Sequence, residues 1–419
     1  MRLSSARMVL GFATAFVFAA AAPAFSQTSD WVTAWGTSQQ GLGETKIGNA
    51  SARMIARVTL PGDGLRIRLD NTFGKAPVTF AHVTVGPRVR GPALAAGLVK
   101  PVTFGGKSSI TIAAGGTAQS DAVAMQIEAQ QDIGVSLFVT GTDVQPSQHN
   151  NAQVTSYLTD NNAGDSTESA DGKAFTGKTT SMFWLKSIDV RPTAPASSII
   201  AFGDSITDGT CTTLDAHDRW EDIVAENFAL ASRYQFAIVN EGIGGNTVIE
   251  VAGYNPPVNS PTGIDRLERD VLSHAGVSHV VFFEGTNDIR RGATADQLIA
   301  GMKTVVARVK AKGIRIIGAT IIPRHAVVPG VADTGWNDEK AKIRHRVNDW
   351  IMKEAGFDNV LDFDSIVRDP ANPDLIKQAY NCGDGVHPSP MGYFLMGKSV
   401  NIGQFLDPNS RRTGQSGVR

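Results

Sequence analysis

The sequence predicts an α/β domain built on a parallel sheet and preceded by an antiparallel β-domain. The first observation is a change of hydrophobic period near residue 197, from period-2 alternation to strands that alternate with helices. The second is that glycine and turn residues separate short alternating runs before that point. The third is length, because 419 residues suffice for two or three domains that each bury a core.

Residues 1–26 have the layout of a secretory signal peptide. Two arginines precede an apolar run over residues 8–22, and small residues at positions 24 and 26 suit cleavage after Ser26. The alternative is a membrane anchor, but the run is shorter than the roughly 20 residues that span a bilayer. We expect a secreted or periplasmic protein, in a compartment that permits disulfides.

Residues 27–191 are predicted to form an antiparallel β-sandwich or jelly-roll domain. Alternating β-branched and aromatic residues at regular spacing are typical of such folds. The polar stretch at 145–173 predicts a long loop, and prolines at 192 and 195 mark the boundary. The predicted strands cover residues 54–60, 65–69, 78–85, 109–113, 133–140 and 180–190.

Residues 197–406 are predicted to form βαβ units on a parallel sheet, followed by a tail at 407–419. Ligands bind at the carboxyl ends of parallel strands, so residues that follow each strand form the candidate site. The predicted strands cover 198–202, 236–240, 279–283, 315–322 and 360–363. The predicted helices cover 220–231, 263–274, 294–312, 337–354 and 390–405.

Four motifs follow these strands or precede the last helix. Ser205 stands at a helix start, where the positive helix end suits a nucleophile whose reaction forms an oxyanion. Gly245 lies in a glycine-rich turn, and Asn287 carries two amide donors. Asp384 precedes His387 by three residues, so its carboxylate can orient an imidazole that takes the serine proton. Each motif alone is weak, but their combination and chain order suit a serine hydrolase.

These motifs resemble those of the SGNH hydrolases, also called GDSL-type esterases and lipases. The resemblance implies a flavodoxin-like α/β/α sandwich with a five-stranded parallel sheet. It implies Ser205 as nucleophile, His387 as base and Asp384 as the residue that orients the base. It also implies an oxyanion hole formed by the Ser205 and Gly245 N–H groups and the Asn287 side chain. The matching blocks are Gly-Asp-Ser at 203–205, Gly at 245, Gly-Thr-Asn-Asp at 285–288 and Asp-Gly-Val-His at 384–387.

The segments at 31–36 and 69–74 resemble, less specifically, the β-domain that precedes the catalytic domain in some exported members. The two cysteines lie beside the catalytic motifs, Cys211 six residues after Ser205 and Cys382 five before His387. Because the implied triad brings these loops together, we expect a Cys211–Cys382 disulfide in an oxidising compartment. Two buried free thiols are the alternative.

Composition and context exclude several other classes. A net charge of −1 gives no general attraction to nucleic acid, and no segment after the leader is apolar enough to span a membrane. Residues 172–179 match a phosphate-binding loop, but the required strand and helix are not predicted around them, so we expect no nucleotide. His274 and His279 lack nearby carboxylate partners in the sequence and are predicted at the surface. We therefore expect no metal and no cofactor.

The sequence thus predicts an exported serine esterase that acts through an acyl-enzyme. Short-chain acyl or O-acetyl esters, on small molecules or polysaccharide, are the expected substrates. A lipase or polyester hydrolase, or an O-acyltransferase with the same triad, is the alternative. A glycan-binding protein with a vestigial hydrolase domain is disfavoured, because Ser205, Asp384 and His387 are all present.

Overall fold

The fold is that of a computed structural model, which describes residues 30–231, 235–251, 260–324 and 335–406. The expected signal peptide and the C-terminal tail lie outside the described residues. Within these ranges, no helix combines the length and the apolar character needed to cross a membrane.

The front half of the chain forms antiparallel sheets, as its alternating sequence predicts. Its strands are β1 (Val32–Gly36), β2 (Gly41–Leu42), β3 (Ala50–Val58), β4 (Gly62–Asp70), β5 (Val78–Arg90), β6 (Ala93–Leu94), β7 (Lys100–Pro101), β8 (Ile110–Ile112), β9 (Thr117–Gln119), β10 (Val123–Ile127), β11 (Gln131–Val139), β12 (Ser147–His149), β13 (Ser156–Leu158), β14 (Gly177–Thr179), β15 (Met182–Phe183) and β16 (Leu185–Arg191). One sheet has the order β1-β16-β4-β10, with β9 also on β4. A second has the order β14-β13-β3-β11-β5-β6, with β7 and β8 also on β5, and a third has the order β15-β12-β2.

The two larger sheets of this half share one apolar core. The first sheet contributes Leu65 and Ile67 from β4, and the second contributes Val135 and Leu137 from β11. These residues alternate along their strands, so each strand turns one face towards the common core. The alternation that predicts the strands is therefore the pattern that builds the core.

The polar stretch at 145–173 contains two strands, so the predicted long loop is wrong. The strand β12 pairs with β2 and β15, and β13 pairs with β3 and β14. Each has only three residues, which is too short to show a hydrophobic period. The strand β14 also occupies the end of the phosphate-loop match, where a nucleotide-binding loop would continue into a helix.

The second half carries the predicted five-stranded parallel sheet. Its strands are β17 (Ala196–Gly203), β18 (Gln235–Gly242), β19 (Val277–Phe283), β20 (Arg315–Ala319) and β21 (Asn359–Leu361). They pair in the order β18-β17-β19-β20-β21, all parallel, which confirms this part of the prediction. The helices are α1 (Ser205–Asp208), α2 (Trp220–Ala231), α3 (Gly263–Leu267), α4 (Thr286–Arg290), α5 (Ala295–Ala311), α6 (Asp338–Lys353), α7 (Phe363–Val367), α8 (Pro390–Ser399) and α9 (Gly403–Leu406). A π-helical turn (Glu268–Leu272) continues α3, and a 3₁₀ turn (Gln378–Tyr380) precedes α8.

Helices lie against both faces of the parallel sheet. Ile200 and Phe202 of β17 enter an apolar cluster with residues of α5 and α6. Their neighbours Ile199 and Ala201 enter a second cluster with residues of α2 and α8. A strand buried on both faces reads as a continuous apolar run, which is why β17 is evident from the sequence.

The predicted last helix, 390–405, is two helices in the structure. The helix α8 ends before Val400, whose backbone is extended (φ −79°, ψ 121°). The side chain of Asn401 then accepts a hydrogen bond from the Gly403 N–H at 2.8 Å, at the start of α9. A short polar side chain that bonds to nearby backbone competes with helix continuation, so the helix breaks here.

A buried polar network connects the two halves of the chain. Lys186 of β16 donates to Glu241 Oε2 of β18 at 3.0 Å and to Asp270 Oδ1 of the π-helical turn at 2.8 Å. Burial raises the pKa of Glu241, but the Lys186 charge and the hydrogen bond from His274 outweigh it and hold that pKa below its usual value. His274 Nε2 lies 2.6 Å from Glu241 Oε1, and both His274 and His279 are buried. The prediction that these histidines lie at the surface is wrong, because the carboxylate that pairs with His274 is distant in sequence.

Candidate active site

Ser205 stands at the first position of α1, directly after the central strand β17. Gly203 ends that strand, and a Cβ there would lie 2.7 Å from the Phe283 carbonyl oxygen, so only glycine fits. Asp204 caps α1 by accepting the Ile206 N–H at 3.0 Å. Burial raises the pKa of Asp204 to about 7. The serine N–H and Oγ therefore stand at the positive end of a capped turn.

His387 lies beside Ser205 and is held by Asp384. The Ser205 Oγ is 2.9 Å from His387 Nε2, and His387 Nδ1 is 2.5 Å from Asp384 Oδ2. Asp384 Oδ1 accepts the N–H groups of Val386 and His387 at 2.8 and 2.9 Å. A carboxylate on Nδ1 keeps a proton on that nitrogen, so Nε2 can accept the proton of Ser205.

Asp384 stays ionised over a wide pH range. Burial raises its pKa, but the hydrogen bond and charge of His387 and two backbone N–H donors outweigh burial and lower the pKa to about 2. The carboxylate beside His387 Nδ1 is therefore charged at every pH well above 2.

The loop that carries His387 is fixed by Asn381 and by a disulfide. Asn381 Oδ1 accepts the N–H groups of Gly383 and Gly385 at 2.7 and 3.1 Å, and its Nδ2 donates to the His387 carbonyl at 3.1 Å. The structure joins Cys211 to Cys382, as expected, across 171 residues of chain. The disulfide thus connects the loop after α1 to the loop before His387.

The structure distinguishes Gly244 from Gly245, the two adjacent glycines of the turn that follows β18. The Gly244 N–H donates to Asp208 Oδ2 at 2.9 Å and is therefore occupied. Gly245 has a positive φ of 74°, and its N–H has no acceptor among the described residues. Asn287 uses one amide proton on the Asn246 carbonyl at 3.0 Å, which leaves its second proton for a ligand. These are the donors that the sequence predicts for the oxyanion hole.

Arg266 connects three of the strand ends and is missed by the sequence argument. Its guanidinium donates to the Gly203 carbonyl at 2.8 Å, to Asn246 Oδ1 at 2.8 Å and to Glu284 Oε1 at 2.9 Å. It also lies over the Phe202 ring, 4.2 Å from its centroid. The local sequence gives no signal for this burial, because Asp265 and Glu268 beside Arg266 are typical of a solvated helix face.

Asp288 holds the backbone that follows the glycine-rich turn around Gly245. Its two carboxylate oxygens accept the N–H groups of Val248 and Ile249 at 3.0 and 3.1 Å. Burial raises the pKa of Asp288 well above its usual value. The residue after Asn287 therefore orders the backbone that follows Gly245.

A serine–histidine pair at the carboxyl ends of the strands in a parallel α/β sheet is typical of an ester hydrolase. Residues 201–395 match the model of the GDSL-like lipase/acylhydrolase family. This match identifies residues 201–395 as a GDSL-like lipase/acylhydrolase domain, and the protein is accordingly a carboxylic ester hydrolase. A comparison with curated proteins gives no match.

Solved structures similar to this chain align with about half of it. A member of the lipolytic protein G-D-S-L family from Veillonella parvula DSM 2008 is 22% identical over 48% of this chain and 94% of its own, with a TM-score of 0.36. The lipase/acylhydrolase from Enterococcus faecalis is 23% identical over 48% and 92%, with a TM-score of 0.36. A carbohydrate acetylesterase family member from Sinorhizobium meliloti is 20% identical over 48% and 94%, also at 0.36. The family match over residues 201–395 carries the assignment.

Proposed function

We propose that the protein hydrolyses carboxylic esters through an acyl-enzyme on Ser205. His387 is the general base, and Asp384 orients it. The observation that carries the proposal is the 2.9 Å contact between Ser205 Oγ and His387 Nε2, with Asp384 on the other ring nitrogen. This arrangement supplies an activated nucleophile at the start of a helix.

In the proposed mechanism, Ser205 Oγ bonds to the ester carbonyl carbon as its proton passes to His387 Nε2. The carbonyl electron pair moves to oxygen, and the N–H groups of Ser205 and Gly245 and the free amide proton of Asn287 stabilise the resulting oxyanion. His387 then returns the proton to the leaving alcohol as the C–O bond breaks. Water repeats these steps and releases the acid. Each oxyanion donor contributes about 3 kcal/mol to the transition state.

The proposed substrates are short-chain acyl or O-acetyl esters of small molecules or polysaccharide. A chain with a net charge of −1 presents no general electrostatic preference for charged substrates, which supports uncharged esters. The proposal includes export, supported by the leader sequence and by the Cys211–Cys382 disulfide, a bond that persists in oxidising compartments.

A series of p-nitrophenyl esters of increasing acyl length, beside acetylated xylan, tests the reaction and the acyl preference together. Ser205→Ala is expected to abolish turnover of every substrate, while Ser399→Ala, at the end of α8, keeps it. Undiminished turnover by Ser205→Ala would refute the assignment. Transfer of the acyl group to an added alcohol in preference to water would identify the acyltransferase alternative.

A further inference from the structure

His149 reaches the catalytic half from the β-rich half. It lies on β12 and is 2% exposed. Its Nδ1 is 2.8 Å from the Ser38 carbonyl oxygen, and its Nε2 is 3.0 Å from Asp208 Oδ1. A carbonyl and a carboxylate only accept hydrogen bonds, so both ring nitrogens must donate. His149 is therefore an imidazolium paired with a buried carboxylate.

Asp208 connects this imidazolium to the candidate oxyanion loop. It is the last residue of α1, three positions after Ser205. Its Oδ1 accepts from His149, and its Oδ2 accepts the Gly244 N–H at 2.9 Å. The end of α1 and the end of β18 are in direct contact, since a Cβ on Gly242 would lie 2.3 Å from the Asp208 nitrogen. Rotation of the Asp208 carboxylate would release the Gly244 N–H next to Gly245.

We propose that His149 is a positioning residue for ester hydrolysis, which holds the oxyanion loop in place through Asp208. The inference rests on the proposed function, because it assigns Gly245 as an oxyanion donor. The fixed Gly244 N–H sets the direction of the next peptide, whose N–H belongs to Gly245. A displacement of about 1 Å at a reacting centre costs on the order of 10²-fold in rate. The β-rich half thus takes part in catalysis by ordering a loop of the other half.

The charged groups that face His149 are Asp208 and Arg219. Burial lowers the pKa of His149, but the charge of Asp208 and the hydrogen bonds to Asp208 and Ser38 outweigh burial and the Arg219 charge, so the pKa is raised. A raised histidine pKa means that the charged pair persists to a higher pH than an ordinary histidine allows and is lost as pH rises through that pKa. Ester hydrolysis is therefore expected to fall on the alkaline side as His149 loses its proton.

The test compares His149→Ala, His149→Gln and a control, His82→Ala, in the full-length protein. His82 belongs to the same half and pairs with Asp165 of that half, at 2.9 Å. For p-nitrophenyl acetate, His149→Ala is expected to lower kcat about 10–100-fold with little change in KM. His149→Gln keeps one donor for Asp208 and should recover part of that loss. The alkaline fall in kcat should disappear in both variants and persist in His82→Ala.

A trifluoromethyl ketone forms a tetrahedral oxyanion with a serine. Its inhibition constant therefore distinguishes a loss of activity caused by a displaced loop from one caused by lower general stability. Its inhibition constant is expected to rise in His149→Ala by the same factor as kcat/KM falls. Should His149→Ala fail to fold, His149→Gln and Asp208→Asn carry the same comparison. Suppose that the wild type is active and Ser205→Ala is inactive. Unchanged kcat and inhibition constants in these variants would then overturn this inference but leave the proposed function standing. An active Ser205→Ala would instead overturn the proposed function.

Discussion

Replacing Lys186 by methionine should destabilise the protein more than any exposed ion pair can. Lys186 is 1% exposed and donates to Glu241 at 3.0 Å and to Asp270 at 2.8 Å. In the variant, Asp270 keeps both contacts of Arg269, at 2.7 Å each. Glu241 keeps the hydrogen bonds of Ser38 and His274 but loses its only lysine or arginine ion-pair partner among the described residues, so the loss falls mainly on Glu241. Removing one partner of a buried pair costs about 3–5 kcal/mol of the free energy of unfolding.

Urea titration followed by tryptophan fluorescence measures this free energy for Lys186→Met beside Arg191→Gln. Arg191 and Asp63 form an ion pair whose side chains are 46% and 45% exposed, so its loss should cost about 0.2–1 kcal/mol. Without the lysine, the Glu241 carboxylate prefers its proton, so the defect of Lys186→Met should be smaller at pH 5 than at pH 8. Adding Glu241→Gln should restore part of the loss. A defect no larger than that of Arg191→Gln at pH 8 would refute this reasoning.

Three further outcomes follow from the active-site geometry. Asn287→Ala should lower kcat about 10²–10³-fold with little change in KM in steady-state kinetics, and a loss below tenfold would remove its oxyanion role. The double variant Cys211→Ser, Cys382→Ser should lose up to about 5 kcal/mol of unfolding free energy, since the disulfide spans 171 residues. Two titratable thiols in the denatured, unreduced wild type would exclude the bond. Because the pKa of Asp384 is lowered to about 2, its contribution to stability is present above about pH 4 and is lost as pH falls towards 2. Asp384→Asn should therefore show a flatter decline in thermal stability over that pH range than the wild type.

The sequence predicts the parallel sheet well because its signals are local. The strands β17 and β19 contain continuous apolar runs at 199–202 and 280–283, and the predicted helix 220–231 coincides with α2. Thr294 and Gln297 form a capping box at the start of α5. The position of the site follows from topology, because the carboxyl ends of parallel strands meet at one edge.

The residues that the sequence does not predict depend on long-range contacts. His149 lies in a three-residue polar strand, and its partner Asp208 is 59 residues away. Arg266 donates to Ser38, 228 residues away, as well as to the strand ends. The local hydrophobic period does not predict such pairings, since each polar side chain can be buried only because a distant residue completes its hydrogen bonds. The connection between the two halves therefore becomes visible only in three dimensions.

Labelling with a fluorophosphonate, followed by peptide mass spectrometry, tests the central claim most directly. Ser205, whose Oγ lies 2.9 Å from His387 Nε2, is expected to carry the phosphonyl group in the wild type, with parallel loss of ester hydrolysis. His387→Ala should slow labelling strongly, and Ser205→Ala should abolish it. An unlabelled Ser205 in a protein that hydrolyses esters, or an adduct on another serine that accompanies the loss of activity, would contradict the account.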